Sequence, residues 1–190
     1  LRNKDYDYIL REGVSQQEAG ANILDVNVGL PEIDEKQTLK TAVQLLQTVS
    51  DLPLQIDTSD ASAMEAALRV YNGKPLINSV NGKKEVMEKI FPLAAKYGGA
   101  VIALTLDESG IPETAEGRIE IAKKIIDTAK TYGIDKKDII VDPLALTISS
   151  DSSSASETLK CLEYFSKNNI KTSLGVSNVS FGLPKRNIIN

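Results

Sequence analysis

Residues 23–57 read ILDVNVGLPEIDEKQTLKTAVQLLQTVSDLPLQID, and this stretch decides the fold. Two short apolar runs, Ile23-Leu24-Asp25-Val26-Asn27 and Leu54-Gln55-Ile56-Asp57, have the length and flanking turn formers of buried parallel strands. Between them, from Gln37 to Thr48, the apolar residues Leu39, Val43, Leu45 and Leu46 recur at helical spacing. That is one βαβ unit. The same alternation continues along the chain. Further strands are expected at Pro75–Ser79, Ala100–Leu104, Asp138–Asp142 and Thr172–Asn178, and further helices at Ser62–Tyr71 and Arg118–Tyr132. The class is α/β, with right-handed crossovers between parallel strands.

Two closures compete, an open doubly wound sheet and a (β/α)8 barrel. Neither a Gly-x-Gly-x-x-Gly turn nor a P-loop follows the first strand, which weakens nucleotide-binding readings. Instead most strands end in a polar residue: Asp25 and Asn27, Asp57, Asn78, Asp142, then Ser177 and Asn178. A barrel gathers such strand ends around one mouth, where its chemistry sits. Any one of them alone reads equally well as a turn or helix-capping residue. Five strands ending this way favour the barrel.

The units average roughly 30 residues, so eight would need about 250, and only six strands can be found. The chain opens in a helical stretch, Asp5–Gln17, and stops at Asn187-Ile188-Ile189-Asn190 inside a helical turn. The expectation is a TIM barrel truncated to about six βα units, with its first and last strands missing. Residues 1–190 would then be one barrel domain cut from a longer protein.

Composition narrows the function. The 190 residues are 42% hydrophobic and 25% charged, the balance of an ordinary globular domain. A net charge of −4 argues against nucleic acid, and no apolar run approaches the roughly 20 residues of a membrane span. There is no histidine, which removes Ser-His-Asp and Cys-His catalysis and imidazole ligation of zinc or cobalt. The single cysteine, Cys161, fits a packing role in a reducing cytoplasm and cannot build a zinc-thiolate site. No metal site is expected in this piece.

The ordered set Asp25-Val26-Asn27-Val28-Gly29, Gln55-Ile56-Asp57-Thr58-Ser59, Ile77-Asn78-Ser79-Val80-Asn81, Leu106-Asp107-Glu108-Ser109-Gly110-Ile111-Pro112, Val141-Asp142-Pro143 and Gly175-Val176-Ser177-Asn178-Val179-Ser180-Phe181-Gly182-Leu183-Pro184 is similar to one family. It resembles the pterin-binding barrel of cobalamin-dependent methionine synthase and the related methyltetrahydrofolate:corrinoid methyltransferases. The resemblance runs from about Asp5 to Asn190. It implies a domain that binds 5-methyltetrahydrofolate and presents its methyl group to the reduced cobalt of a cobalamin carried by another domain or protein. The implied pterin-binding residues are Asp57, Asn78 and Asp142. Asn178 matches the residue that approaches the methyl-bearing ring nitrogen. The family's opening strand, with its Glu-Arg and a following Asn, has no counterpart here.

The residue types suit that ligand. A pterin offers adjacent donors along its amino-pyrimidinone edge, which a carboxylate accepts in two parallel bonds, while an amide meets the mixed edges. The bland alternatives are definite: Asp57 as a helix cap, although Ser59 or Asp60 could cap equally well, Asn78 and Asn178 as turn residues, Asp142 as a strand end. Asp25, Asn27 and Ser177 are expected in supporting roles, and Arg186 either touches anionic groups or simply starts a helix. The expected partners are a corrinoid-binding domain or protein and a small folate, with a homo-oligomer left open. The rival functions are a freestanding corrinoid-protein methyltransferase, a dihydropteroate synthase-like enzyme and a non-catalytic folate-binding module. A dihydropteroate synthase-like chain would be expected to carry a Ser-Arg-Lys-type cluster where this one has Ser177-Asn178-Val179.

Overall fold

Strand and helix alternate along the chain as the apolar runs require. The computed structural model describes residues 6–147 and 153–189. In order these are α1 (Tyr6–Glu18), β1 (Leu24–Asn27), α2 (Glu35–Val49), β2 (Leu54–Asp57), α3 (Ala61–Leu68), β3 (Leu76–Asn81), α4 (Lys84–Tyr97), β4 (Ala100–Leu104), α5 (Ala115–Thr131), β5 (Ile139–Asp142), α6 (Ser153–Lys167), β6 (Lys171–Thr172) and α7 (Arg186–Ile189). The strands form one sheet in the order β1-β2-β3-β4-β5-β6, which leaves β1 and β6 at its ends. Leu24 pairs with Leu54, Asn27 with Asp57, Asp57 with Asn78 and Val141 with Thr172, all in parallel register.

Contacts group the chain into two units, residues 1–79 with 92–101, and residues 80–91 with 102–190. In the first, Asp34 starts α2 by accepting a bond from the Gln37 N–H at 3.0 Å. The face of α2 carrying Leu39, Ala42, Val43 and Leu46 is buried. Alternation along the strands does the rest: Leu24, Val26, Leu54 and Ile56 are buried, while Asp25, Asn27, Gln55 and Asp57 lie on the opposite face. Burying each such leucine or isoleucine contributes about 1.5–3 kcal/mol. Beside β1 runs a groove of about 360 Å³ whose walls include Gly13, Leu24, Val26 and Leu46.

In the second unit Ile121, Ala122, Ile125 and Ala129 of α5 are buried together with Ile139 and Val141 of β5. The ring of Phe91 lies 5.6 Å from that of Tyr132. Cys161 is fully buried, and desolvation pushes its thiol up to about 11, so packing is the role it shows.

Several expectations shift. The sixth strand was expected over Thr172–Asn178 but spans only Lys171–Thr172, because the chain turns into a 3-10 turn at Val176–Asn178. Helix α3 stops at Leu68, which frees Tyr71, and its hydroxyl accepts a bond from the Leu54 N–H at 3.2 Å. Residues 148–152 lie outside the described residues, and Ser153 and Ser154 open α6. At the end of α4, Gly98 has φ +66° and the Gly99 N–H returns to Ala94 O at 3.0 Å. Among the described residues no helix is long and apolar enough to cross a membrane.

Candidate functional site

Parallel register places side chains of paired residues on the same face, so the sequence positions of the strand-end polar groups fix their contacts. Asn27 pairs with Asp57, and its Nδ2 donates to Asp57 Oδ2 at 2.8 Å. The Asn27 Oδ1 accepts the Gly29 N–H at 2.9 Å, which locks the amide in that orientation. Asp25 pairs with Gln55, whose Nε2 donates to Asp25 Oδ1 at 2.6 Å. Asn78 pairs with Asp57, and its amide favours the ionised form of Asp25. The Asn78–Ser79 peptide is cis.

Asp57 does not cap α3. That task falls to Asp60, whose Oδ1 accepts the Ser62 N–H at 2.7 Å. Thr58 holds the turn between them: its hydroxyl donates to Glu35 and accepts the Asp60 N–H at 3.0 Å. Among the described residues the second oxygen of Asp57 has no protein donor.

Asp25 is open to solvent as a residue, yet the protein around its carboxylate strips away enough water to raise its pKa. The Gln55 and Asn78 amides oppose this, and the charge of Asp57 adds to it. Folding therefore disfavours the ionised form. That stability contribution is present below the unfolded pKa, about 3.8, and is lost as pH rises through the raised value. Asp25→Asn is accordingly expected to raise the melting temperature at neutral pH, with the gain shrinking to nothing below about pH 4. Melting curves across that range check it; a gain that grows toward acid would contradict it.

The second unit supplies another set. Asp142 ends β5 half-buried, and its Oδ1 accepts the Leu144 N–H at 2.7 Å. Burial raises its pKa against that hydrogen bond. Its other oxygen has no protein donor among the described residues. Asn178 is exposed in the 3-10 turn, and its amide lies over Gly175, where an added Cβ would stand 3.1 Å from Asn178 Nδ2. Arg186 braces this turn. Its Nη2 donates to Ser177 O at 2.8 Å and its Nε to Ser180 Oγ at 3.1 Å, with the guanidinium 5.6 Å from the Phe181 ring centre. The part Ser177 plays is through its carbonyl, which also accepts from Ser180 Oγ at 3.2 Å.

Asp25, Asn27, Asp57 and Asn78 thus form one contacting set within the first unit. Ser177, Asn178 and Arg186 share one turn in the second, and Asp142 stands at the end of β5. Gln55 belongs to the first set and was passed over in the sequence, although its spacing of two from Asp57 puts both on one strand face.

The model of the family described as pterin binding enzyme matches residues 1–188. The chain belongs to this family. Among curated pterin-family relatives it is 33% identical over 192 residues to methionine synthase of Mycobacterium tuberculosis (strain ATCC 25618 / H37Rv), covering 95% of this chain but only 16% of that protein. It is 32% identical over 195 residues to methylcorrinoid:tetrahydrofolate methyltransferase of Eubacterium limosum, covering all of this chain and 72% of that one. Among solved structures, 7,8-dihydropteroate synthase from Vibrio fischeri ES114 aligns with TM-score 0.73 and 23% identity over 94% of this chain and 71% of its own. Dihydropteroate synthase of Yersinia pestis gives TM-score 0.74 and 21% identity over 93% and 70%. At that identity the likeness speaks for the fold alone, the (β/α)8 class, with six strands in the sheet here.

Proposed function

We propose that this chain binds 5-methyltetrahydrofolate and presents its methyl group to the reduced cobalt of a corrinoid carried by another domain or protein, as one module of a methionine synthase. The observation that carries the pterin reading is the Asp57 carboxylate. It is oriented by Asn27, released from capping by Asp60 and set beside Asn78. The identity of 32–33% to two methyl-transferring proteins supports methyl transfer over dihydropteroate formation.

Asp57 and Asp142 each keep one carboxylate oxygen for the donors of a pterin edge, and Asn78 offers both a donor and an acceptor. In the transfer step the bond from ring nitrogen to methyl carbon breaks. The nitrogen keeps the electron pair and takes a proton from water or a carboxylic acid. A corrinoid carried by another domain or protein would supply the electron pair that takes up the methyl group. A hydrogen bond from the Asn178 amide to the departing nitrogen strengthens as charge develops there and so lowers the barrier selectively.

Asp57→Ala and Asp142→Ala are each expected to weaken 5-methyltetrahydrofolate binding by about 1.5–3 kcal/mol, one lost charged hydrogen bond apiece. An equilibrium titration reads this, and unchanged affinity in both variants would sink the pterin assignment. A second reading, a freestanding methylcorrinoid-type methyltransferase, is favoured by the match that covers 72% of the Eubacterium limosum protein. A zinc-thiolate homocysteine domain encoded before this segment and a cobalamin-binding domain after it would decide for the methionine synthase.

A further inference from the structure

Arg118 is fully buried on α5, and a buried guanidinium costs several kcal/mol unless its donors are met. Here they are met by neutral oxygens. Its Nε donates to Pro112 O at 2.9 Å. Its Nη1 donates to Pro143 O at 3.1 Å, Leu144 O at 3.1 Å and Thr158 Oγ1 at 3.0 Å, and its Nη2 to Ser154 Oγ at 3.2 Å. Among the described residues no carboxylate bonds it; the nearby Glu157 is occupied with the Ala115 N–H at 2.8 Å and with Lys160. An isoleucine or leucine would fill this position on the buried stripe of α5 at no electrostatic cost, so core packing does not account for the charge.

Two of its acceptors, Pro143 O and Leu144 O, directly follow Asp142. Leu144 has φ +64°, left-handed backbone that costs a non-glycine residue about 1–2 kcal/mol. Both of its polar groups are engaged: its N–H by Asp142 Oδ1, its carbonyl by Arg118 Nη1 and Thr158 Oγ1 at 3.1 Å each. We propose that Arg118 is a positioning residue for pterin binding, clamping the Pro143–Leu144 main chain so that Asp142 spends one carboxylate oxygen on its own turn and offers the other to the ligand. This rests on the reading of Asp142 as a pterin-binding group. The action is through the backbone: Arg118 holds Pro143 O and Leu144 O, while the Asp142 carboxylate bonds the Leu144 N–H.

The test is a double-mutant cycle in the full-length protein, reading 5-methyltetrahydrofolate affinity by titration below the melting temperature of every variant. Arg118→Lys keeps the charge but loses the fork, and is expected to weaken binding about 10-fold. In the Asp142→Ala background the same change is expected to alter binding less than about two-fold, since the group it positions is gone. Adding Leu144→Gly to Arg118→Lys is expected to restore most of the loss, because glycine holds φ +64° unaided. A fall in melting temperature with unchanged affinity overturns the proposal, as does an equal loss of affinity with and without Asp142. If Asp142→Ala itself binds like the parent, the assignment of Asp142 fails first. Should Arg118→Lys not fold, Thr158→Val, which removes the neighbouring bond to Leu144 O, is read in the same cycle.

Discussion

Asn178→Ala is expected to slow single-turnover methyl transfer to a reduced corrinoid about 100- to 1,000-fold, the loss of about 2.7–4 kcal/mol found when one such donor is removed. Affinity for 5-methyltetrahydrofolate should move little. The asymmetry follows from when the bond matters. In the ground state the methyl-bearing nitrogen carries no charge and gains little from an exposed amide; as the methyl departs, charge builds there and the bond strengthens. The amide has no competing protein hydrogen bond among the described residues. Its position is set by Arg186 and Ser180 holding the Ser177 carbonyl and by its rest over Gly175. Gly175→Ala should therefore reproduce part of the rate loss: with φ −73° the backbone accepts alanine, and the new methyl group displaces the Asn178 amide. The rate is measured at saturating substrate beside a binding titration. A parental rate for Asn178→Ala at saturation would reduce Asn178 to a substrate-holding residue.

Arg118→Ala is expected to destabilise the fold by about 2–6 kcal/mol, about 1–3 kcal/mol for each of two carbonyls left without a donor. The variant leaves a cavity among α5, α6 and the loop after β5, and it strips the Pro112 and Pro143 carbonyls of the partner each has. Leu144 O, Ser154 and Thr158 suffer less, because Thr158 also donates to Leu144 O and both hydroxyls can turn. For a chain of this length such a loss lowers the melting temperature on the order of 10 °C. Urea denaturation measures it directly. A loss below about 1 kcal/mol, the net worth of a single ordinary hydrogen bond, would mean that the freed carbonyls find other donors.

The strands were legible where an apolar run stood between turn formers: β2 and β4 fall on the residues the sequence points to, and β1, β3 and β5 within one or two of them. The sixth was misjudged for a physical reason. Beyond Thr172 the N–H groups of Val176, Asn178 and Val179 bond to Leu174, Gly175 and Val176 within the turn, so the run could not remain a strand. Asp57 was ambiguous as a cap by sequence, since Asp60 and Ser59 lay close enough to cap; the Asp60–Ser62 bond gives that role to Asp60. Gln55 needed the register of β1 against β2 to acquire a partner. Arg118 left a trace that went unread. Residues 118, 122, 125 and 129 recur at helical spacing on one buried stripe, and an arginine among Ala122, Ile125 and Ala129 cannot face water.

The hold of Arg118 on the β5 loop ends on carbonyl oxygens, so it is blind to the side chains that residues 143 and 144 carry. Anchoring and wall chemistry are thereby uncoupled at this corner of the protein. Exchanging Leu144 for asparagine or glycine, residues at ease in left-handed backbone, leaves both tethering carbonyls in place. Side chains can change there one at a time while the Asp142 carboxylate stays where it was. On the proposed pterin reading, the same feature recommends position 144, and not the arginine, as the place to begin a library aimed at altered pterins.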